Sequence, residues 1–334
     1  MRRAALGILL LVSACGGGQQ ATQPGPVAQV HGSLGDTWAW KNAAWHRAAV
    51  AGPSPRYLTA LAYDADRRQF VLYGGQTAKG TSDETWLWDG KTWRVANPVH
   101  KPPARRAAGM AWDPATHAVV LYGGLVADAF EGHESGDTWT WNGNDWSEVD
   151  AGPGLPGLRQ NPSLSDAGNR LLLFGGHEGN IAYFGDVWSW QNGRWVQADQ
   201  APRPQGRGAS AVAWDTTRST MFVYGGVGMN AAAGPGALGT PLADGWSLTN
   251  GAWKKLDAEG PGQLEYANAI SSTSRFTVLL GMHCPNPSDA AWAWDGTSWS
   301  RGAKPGMSAR WGAALAQAPD GTALLFGGSN EKGC

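Results

Sequence analysis

The stretch LLLFGG at residues 171–176, followed by GDVWSWQNGRW at residues 185–195, carries the pattern that decides the fold. An apolar run ends in two glycines. A loop then leads to Trp188 and Trp190, which share one side of an extended chain because residues two apart lie on the same face. Asn192 and Gly193 form a dipeptide typical of tight hairpin turns. The stretch therefore predicts three successive antiparallel strands.

The same unit recurs along the chain at intervals of about 50 residues. Five apolar runs end in paired glycines, and Leu280-Gly281-Met282 is a degenerate further copy. The paired glycines are Gly74-Gly75, Gly123-Gly124, Gly175-Gly176, Gly225-Gly226 and Gly327-Gly328. The tryptophan half occurs six times, as Trp38/Trp40/Trp45, Trp86/Trp88/Trp93, Trp139/Trp141/Trp146, Trp188/Trp190/Trp195, Trp246/Leu248/Trp253 and Trp292/Trp294/Trp299.

This pattern resembles the kelch repeat of the galactose oxidase and kelch-like superfamily, in which one repeat is one four-stranded propeller blade. The resemblance covers roughly residues 35–334 and implies an all-β, six-bladed kelch β-propeller. Composition agrees with it, since the 334 residues include 48 glycines and 20 tryptophans and only 16% are charged. Alternation with a period of two is common, whereas helical periodicity is hard to find.

The two ends of the repeat region each hold half a blade. Residues 36–48 carry a tryptophan half with no paired glycines before it, and residues 323–328 carry an apolar run and paired glycines with no tryptophan half after them. We expect the N-terminal segment to supply the two outer strands of one blade and the C-terminal segment its two inner strands. Such pairing would close the ring and avoid exposed strand edges.

We name the four strands of a blade a, b, c and d from the centre to the rim. Residues 58–63, 108–112 and 209–214 are predicted as strands a, and the apolar runs as strands b that are buried on both faces. The b–c and d–a loops emerge together on one side of the ring, which we call the loop face. The b–c loops vary in length, for example residues 76–82 against 227–243, and variable loops on a rigid scaffold are the usual place for binding.

Residues 1–14 have the features of a signal peptide, with Arg2 and Arg3 ahead of a short apolar run. The sequence VSAC that ends at Cys15 resembles the bacterial lipobox, which implies lipidation of Cys15 and attachment to a membrane. The alternative is an ordinary signal peptide that happens to contain a cysteine. Residues 15–34 are rich in Gly, Gln and Pro and predict a flexible tether. We therefore expect an exported lipoprotein, periplasmic or at the cell surface, and on the outer membrane if the host is Gram-negative.

An arginine precedes strand a in five of the six repeats. By resemblance to kelch domains that bind acidic peptides, these side chains could line the mouth of the central channel as a cationic ring for carboxylates or sulfates. The alternative is that each arginine binds carbonyl groups of its own or the next blade. The set comprises Arg56, Arg105 with Arg106, Arg159, Arg207 and Arg310, whereas Gln263, Leu264 and Glu265 stand in the remaining repeat.

An acidic residue stands two or three positions before the first tryptophan of each repeat. We expect it to accept backbone hydrogen bonds at the loop end and to be structural, because one copy per blade points away from catalysis. These residues are Asp36, Glu84, Asp137, Asp186, Asp244 and Asp289.

Two histidines on the loop face, His177 and His283, are further candidates for ligand binding. Together with His133 they could approach a metal ion, but no close ligand spacing supports a metal site and none is predicted. No cofactor is predicted either. Cys284 and Cys334 fall in the loops of adjacent blades and could form a disulfide in an exported protein; two free thiols are the alternative.

The near-neutral balance of 26 basic and 27 acidic residues argues against nucleic acid as a partner. The motifs His-Glu-x-x-His, Gly-x-Ser-x-Gly and Cys-x-x-Cys are absent from the sequence. Two functions are open at this point. One is a non-enzymatic module that presents its loop face to a protein, peptide or glycan. The other is a sugar-modifying enzyme, an epimerase or mutarotase for an acidic sugar, since periplasmic kelch enzymes of this kind exist.

Overall fold

The computed structural model of the chain describes residues 32–332 apart from 43, 49, 128–131, 153, 199–200, 231–238, 258, 273–274 and 284. All regular secondary structure in these residues is β, with no helix among them. No helix that could span a membrane is found in this part of the chain. The predicted signal peptide, Cys15, most of the tether, and the cysteines Cys284 and Cys334 lie outside the described residues.

Most of the strands form six antiparallel sheets, each with four strands in the order a-b-c-d, an architecture that fits a β-propeller. Sheet 1 contains Ala60–Asp64, Gln69–Tyr73, Thr85–Trp88 and Trp93–Ala96; sheet 2 contains Gly109–Asp113, Ala118–Tyr122, Thr138–Trp141 and Trp146–Val149; sheet 3 contains Ser163–Asp166, Leu171–Phe174, Val187–Gln191 and Arg194–Gln197; sheet 4 contains Ala211–Asp215, Thr220–Tyr224, Gly245–Thr249 and Ala252–Lys255; sheet 5 contains Asn268–Ser272, Arg275–Leu279, Ala291–Trp294 and Trp299–Arg301; sheet 6 contains Ala314–Gln317, Ala323–Phe326, Thr37–Lys41 and Ala44–Ala48.

Sheet 6 combines strands from both ends of the described chain. Strand c, Thr37–Lys41, pairs with strand b, Ala323–Phe326, and Trp38 lies opposite Leu325. Strand a of this sheet contacts strand a of sheet 5 and strand a of sheet 1. The first and last strands of the sequence are therefore neighbours in one sheet.

Strands a begin later than the sequence predicts. The first one runs over Ala60–Asp64 and the fourth over Ala211–Asp215, whereas strands were expected from residues 58 and 209. The reason is local, because Leu58 and Ala209 have φ angles of 51° and 55°, outside the range of an extended strand. Their N–H groups bind carbonyl groups of other sheets instead of the strand ladder.

Within the described residues, the apolar core consists of six clusters, and each cluster joins two neighbouring sheets. Strand b supplies its centre, since Leu171–Phe174 and Ala323–Phe326 are buried at every position, as predicted for runs that are apolar on both faces. One cluster joins sheet 1 to sheet 2, and the next clusters follow in order up to sheets 5 and 6. The remaining cluster places Leu72 of sheet 1 beside Phe326 of sheet 6.

The paired glycines mark the places where the chain segments of adjacent sheets cross. At Gly175 the φ angle is +68°, and a Cβ atom would lie 2.4 Å from the carbonyl oxygen of Arg207. The N–H of Gly176 donates a hydrogen bond of 2.9 Å to that same oxygen. Both positions therefore exclude a side chain, the first by close approach and both by their positive φ.

Three tryptophans of strand d, Trp93, Trp146 and Trp195, connect neighbouring sheets by hydrogen bonds as well as by packing. The indole N–H of Trp195 in sheet 3 donates to the hydroxyl of Thr138 in sheet 2 at 3.0 Å. Trp146 binds Thr85 of the preceding sheet in the same way, at 2.9 Å. Each such indole fills the space between two sheets and satisfies its only polar atom there.

Candidate binding site at the loop face

Two-residue strands organise the loop face. Arg56–Tyr57, just before strand a of sheet 1, pairs with Gln76–Thr77 from the b–c loop of the same sheet. Equivalent pairs tie the d–a segment to the b–c loop in sheets 2 and 4. The short strands of this face are Arg56–Tyr57, Gln76–Thr77, Gly80–Thr81, Arg105–Arg106, Leu125–Val126, His133–Glu134, His177–Glu178, Ala182–Tyr183, Arg207–Gly208, Val227–Gly228, Thr240–Pro241, Met282–His283 and Asn286–Pro287.

The five repeated arginines lie in the interior of the protein. Their side chains have at most 1% of their surface exposed, and each is paired with the acidic residue that precedes strand c of its own sheet. In sheet 4 the Nη1 atom of Arg207 lies 2.6 Å from Asp244 Oδ1 and 3.1 Å from the carbonyl oxygen of Gly225. The pairs are Arg56–Glu84, Arg105–Asp137, Arg159–Asp186, Arg207–Asp244 and Arg310–Asp36.

The acidic partners also bind the first tryptophan of strand c. The indole N–H of Trp246 donates to Asp244 Oδ2 at 2.6 Å, so one carboxylate joins a guanidinium and an indole. Side-chain donors, and not only the backbone donors expected from the sequence, hold these carboxylates. Burial opposes ionisation of Asp244, but the hydrogen bond and charge of Arg207 outweigh it and lower the pKa of that carboxyl. In sheet 5 Leu264 replaces the arginine, and Asp289 binds Lys304 at 2.6 Å.

These contacts favour the structural alternative for Arg56, Arg105, Arg159, Arg207 and Arg310 over a cationic ring open to ligand. A guanidinium that is buried, faces a carboxylate and also donates to a glycine carbonyl keeps few donors for another partner. The arginines fasten the start of strand a to the end of strand b and the start of strand c. They thereby fix the chain segments from which the loops of the loop face start.

We call the five ion pairs between a buried arginine and its carboxylate the frame. Acid should weaken this frame. The pKa values of Asp36, Glu84, Asp137 and Asp244 are all lowered, because arginine hydrogen bonds outweigh the effect of burial. A carboxyl whose pKa is lower in the folded state stabilises that state above its unfolded pKa and loses this contribution as the pH falls through the folded pKa. The free energy of unfolding, measured with urea, should therefore fall steadily below about pH 4. A constant value from pH 6 to pH 2 would contradict this expectation.

Six residues, each two positions before the start of a strand a, form a closed cycle of backbone hydrogen bonds. Each N–H donates to the carbonyl oxygen of the preceding member and Leu58 donates to Gly312, with N···O distances of 2.7 to 3.3 Å. All have φ angles between 50° and 61°, a region that is uncommon for residues other than glycine. The members, in order, are Leu58, Ala107, Asn161, Ala209, Tyr266 and Gly312.

A cavity of about 190 Å³ lies inside this cycle and opens toward the loop face. Its floor is a collar of one apolar side chain from the second position of each strand a. The collar consists of Leu61, Met110, Leu164, Val212, Ala269 and Leu315. We call the entrance of this cavity the mouth.

The residue that follows each repeated arginine, or its counterpart in sheet 5, directly precedes a member of the hydrogen-bonded cycle. These residues lie outside the lining of the cavity, and we count them as the rim of the mouth. These six positions share one backbone environment, but their side chains differ in every sheet. They are Tyr57, Arg106, Gln160, Gly208, Glu265 and Trp311. Variation at one fixed register of an otherwise regular repeat is the signal in the sequence that marks these six positions as a set.

An aromatic patch occupies one side of the mouth. The rings of Tyr57 and Trp311 contact each other edge to face, with centroids 5.1 Å apart, and Tyr266 contacts the other side of Trp311 at 5.3 Å. The indole N–H of Trp311 donates to the carbonyl oxygen of Glu331 at 3.0 Å, which fixes the ring. The patch offers a rigid surface to a planar or apolar part of a ligand.

Arg106 is the cation of the mouth. Its Nη1 atom donates to Gln76 Oε1 at 3.0 Å and to Thr81 Oγ1 at 3.3 Å, and both partners are neutral. Among the described residues it makes no ion pair with a carboxylate, in contrast to its buried neighbour Arg105. Glu265 lies on the far side of the mouth with 5% of its surface exposed, and burial raises the pKa of its carboxyl to about 7.

His177 and His283 have different surroundings. The imidazole of His177 stacks on Tyr183 with centroids 5.1 Å apart, donates from Nδ1 to the carbonyl of Gly179 and accepts from the amide of Asn161, a member of the cycle. Burial lowers the pKa of His177. His283 is half-buried in a short strand of sheet 5. No group of three possible metal ligands occurs within the described part of the chain.

Comparison with known proteins gives a partial likeness only. No protein-family model matches the sequence. A stretch of 122 residues is 34% identical to tRNA wybutosine-synthesizing protein 4 of Emericella nidulans, and the match covers 33% of this chain and 11% of that protein. The chain thus spans about a tenth of the length of this relative. Together with the six sheets, these findings identify an all-β protein whose architecture is compatible with a β-propeller.

Proposed function

We propose that this chain is a six-bladed kelch-type propeller, exported and tethered to a membrane through Cys15, and that its loop face binds an anionic peptide or glycan without catalysing a reaction. The tether and the lipid remain predictions from residues 1–34. The six-bladed, closed ring is supported by three observations: the six core clusters, the contacts between successive strands a, and the cycle of backbone hydrogen bonds.

The observation that carries the binding proposal is the contrast between the frame and the mouth. Below the mouth, five sheets repeat the same ion pair of arginine and carboxylate, and all six repeat the positive-φ residue. At the mouth, the residue between these two features is different in every sheet. Gly208 is constrained, because a Cβ atom there would lie 2.5 Å from the ring of His177. The other five side chains take no part in the repeated ion pairs, so their chemistry is free to serve recognition.

The chemistry of the mouth favours an anionic ligand with a planar or apolar part. Arg106 presents a guanidinium whose described partners are the neutral side chains of Gln76 and Thr81, and guanidinium binds carboxylates and sulfates in bidentate fashion. The rings of Tyr57, Trp311 and Tyr266 lie on the same face and would hold a sugar ring or an aromatic side chain.

The test is an array of acidic peptides and acidic glycans, followed by titration of each hit. Arg106→Ala should weaken the hit by about 10- to 100-fold, the range expected for loss of a charged hydrogen bond. Arg94→Ala is the matched control, because Arg94 also donates to a glutamine, Gln69, but lies in strand d. Equal effects of the two substitutions, or hits that carry no negative charge, would refute the proposed site.

A specific observation supports the sugar-modifying enzyme as a second candidate. Glu265 has a pKa of about 7 at the mouth, beside Tyr266, and a general acid or base works best when its pKa lies near the working pH. NMR of each glycan hit separates the two functions. Binding without conversion supports the module, and anomeric or epimeric conversion supports the enzyme.

A further inference from the structure

A second, larger cavity opens at the opposite end of strands a, where the a–b turns lie. Its volume is about 1090 Å³, and the apolar collar separates it from the mouth on the loop face. We call it the wide cavity. Beyond the collar, the fourth position of each strand a contributes one residue to its wall. These residues are Tyr63, Trp112, Asp166, Trp214, Ser271 and Gln317.

The size of the wide cavity follows from small residues in sheet 5. Ala269 is the smallest residue of the collar, and Ser271 is the smallest residue of the ring beyond it. The cavity extends from this side into the space between sheets 5 and 6, where Ala291 and Ala293 face Trp40 and Trp45 of sheet 6. The small side chains of sheet 5 therefore leave this space open, and the indoles of sheet 6 line it.

Asp166 places a carboxylate in this aromatic surrounding. Strand a of sheet 3 lies between those of sheets 2 and 4, so Asp166 stands at the same register as Trp112 on one side and Trp214 on the other. Its Oδ1 atom accepts a hydrogen bond of 2.7 Å from the N–H of Gly168. No cationic side chain of the described residues pairs with it, and burial raises the pKa of this carboxyl.

Ser271 adds a polar group without a partner. Its residue is 9% exposed, and its hydroxyl has no hydrogen-bond partner among the described residues. The adjacent Gln317 is already engaged, because its side chain accepts from the backbone N–H of Ser271 at 3.0 Å and donates to the backbone carbonyl at 2.7 Å. A buried hydroxyl on the wall of a cavity normally finds a partner, and a bound molecule would supply it here.

We propose that the wide cavity binds a small organic cation, an ammonium compound that carries a hydroxyl or another polar substituent. Asp166 acts as the counter-ion, the rings of Trp112, Trp214 and Tyr63 supply cation–π surfaces, and Ser271 binds the polar substituent. Lys304 also lines the cavity but is paired with Asp289, and Arg275 lies at the exposed a–b turn of sheet 5. The site is independent of the mouth and of the function proposed for it.

The experiment compares choline with 3,3-dimethylbutan-1-ol, its uncharged isostere, by isothermal titration calorimetry on the wild-type protein. Choline should bind with a millimolar or lower Kd, and at least about tenfold more tightly than the alcohol. Asp166→Asn should remove this preference and leave the affinity for the alcohol unchanged. Ser271→Ala should weaken both compounds, because both carry the hydroxyl.

Asp320→Asn is the matched control, since Asp320 lies at the exposed rim of the same cavity and loses the same charge. It should leave choline binding unchanged. Equal affinity for choline and the alcohol, the same loss in the two aspartate variants, or no choline binding in the millimolar range would overturn the proposal. Circular dichroism of each variant distinguishes loss of the site from loss of the fold.

Discussion

Replacing Arg105 with alanine is expected to lower the free energy of unfolding by about 3–5 kcal/mol, whereas the same change at the next residue, Arg106, should cost less than about 0.5 kcal/mol. Arg105 is fully buried and holds Asp137 through two hydrogen bonds of 2.5 and 2.7 Å. Its removal leaves a partly buried carboxylate without its cation and the carbonyl of Gly123 without its donor. Urea denaturation of the two variants measures the difference directly.

The pair is informative because the two substitutions are chemically identical and adjacent in sequence. Arg105→Ala should also raise the pKa of Asp137, because burial raises this pKa and the hydrogen bonds and charge of Arg105, which lower it, would be lost. Arg106→Ala should weaken ligand binding and leave the free energy of unfolding nearly unchanged. If both variants lost the same stability, the division between a structural and a recognition arginine would be wrong.

Replacing Trp190 with alanine is the second change with a large expected effect, about 3–5 kcal/mol of unfolding free energy. Only 2% of its surface is exposed, and its ring lies 4.9 Å from that of Trp195. It packs in the cluster between sheets 2 and 3, where Val120 and Leu171 would line the cavity left behind. Its indole N–H has no partner among the described residues, so the loss arises from packing and burial.

Val196→Ala provides the control for Trp190, because Val196 lies in the adjacent strand d and is 46% exposed. That change should alter stability by less than about 0.5 kcal/mol. Thermal unfolding of both variants gives the comparison. A loss below about 1 kcal/mol for Trp190→Ala would mean that the indole is not part of the core.

Much of the fold could be read from the sequence because the repeat encodes it locally. Paired glycines end the strands b, tryptophans two apart mark the strands c, and dipeptides such as Asn192-Gly193 turn into the strands d. The beginnings of strands a were harder to predict. Leu58 and Ala209 have ordinary strand-compatible side chains, and their positive φ angles arise from hydrogen bonds to other sheets that no local pattern reveals.

The candidate site could be predicted only in part, since burial of a charge depends on its partner. The arginines stand out in the sequence, but the partner of Arg207, Asp244, lies 37 residues further along the chain. The repeats do contain a clue, because the one that lacks the arginine, at Leu264, also has its acidic residue at a different spacing, Asp289 before Trp292. The wide cavity could not be foreseen, because it results from small side chains that only the assembled sheets bring together.

Sheet 6 has a consequence for biosynthesis. Translation delivers Asp36 long before its ion-pair partner Arg310, because the two residues are 274 positions apart in the sequence. Closing a chain segment of that length costs roughly 5 kcal/mol of conformational entropy. Until strand b of sheet 6, Ala323–Phe326, has been synthesised, strand c, Thr37–Lys41, lacks its partner on one edge. Sheet 6 can therefore reach its four-stranded form only after residue 326 has left the ribosome.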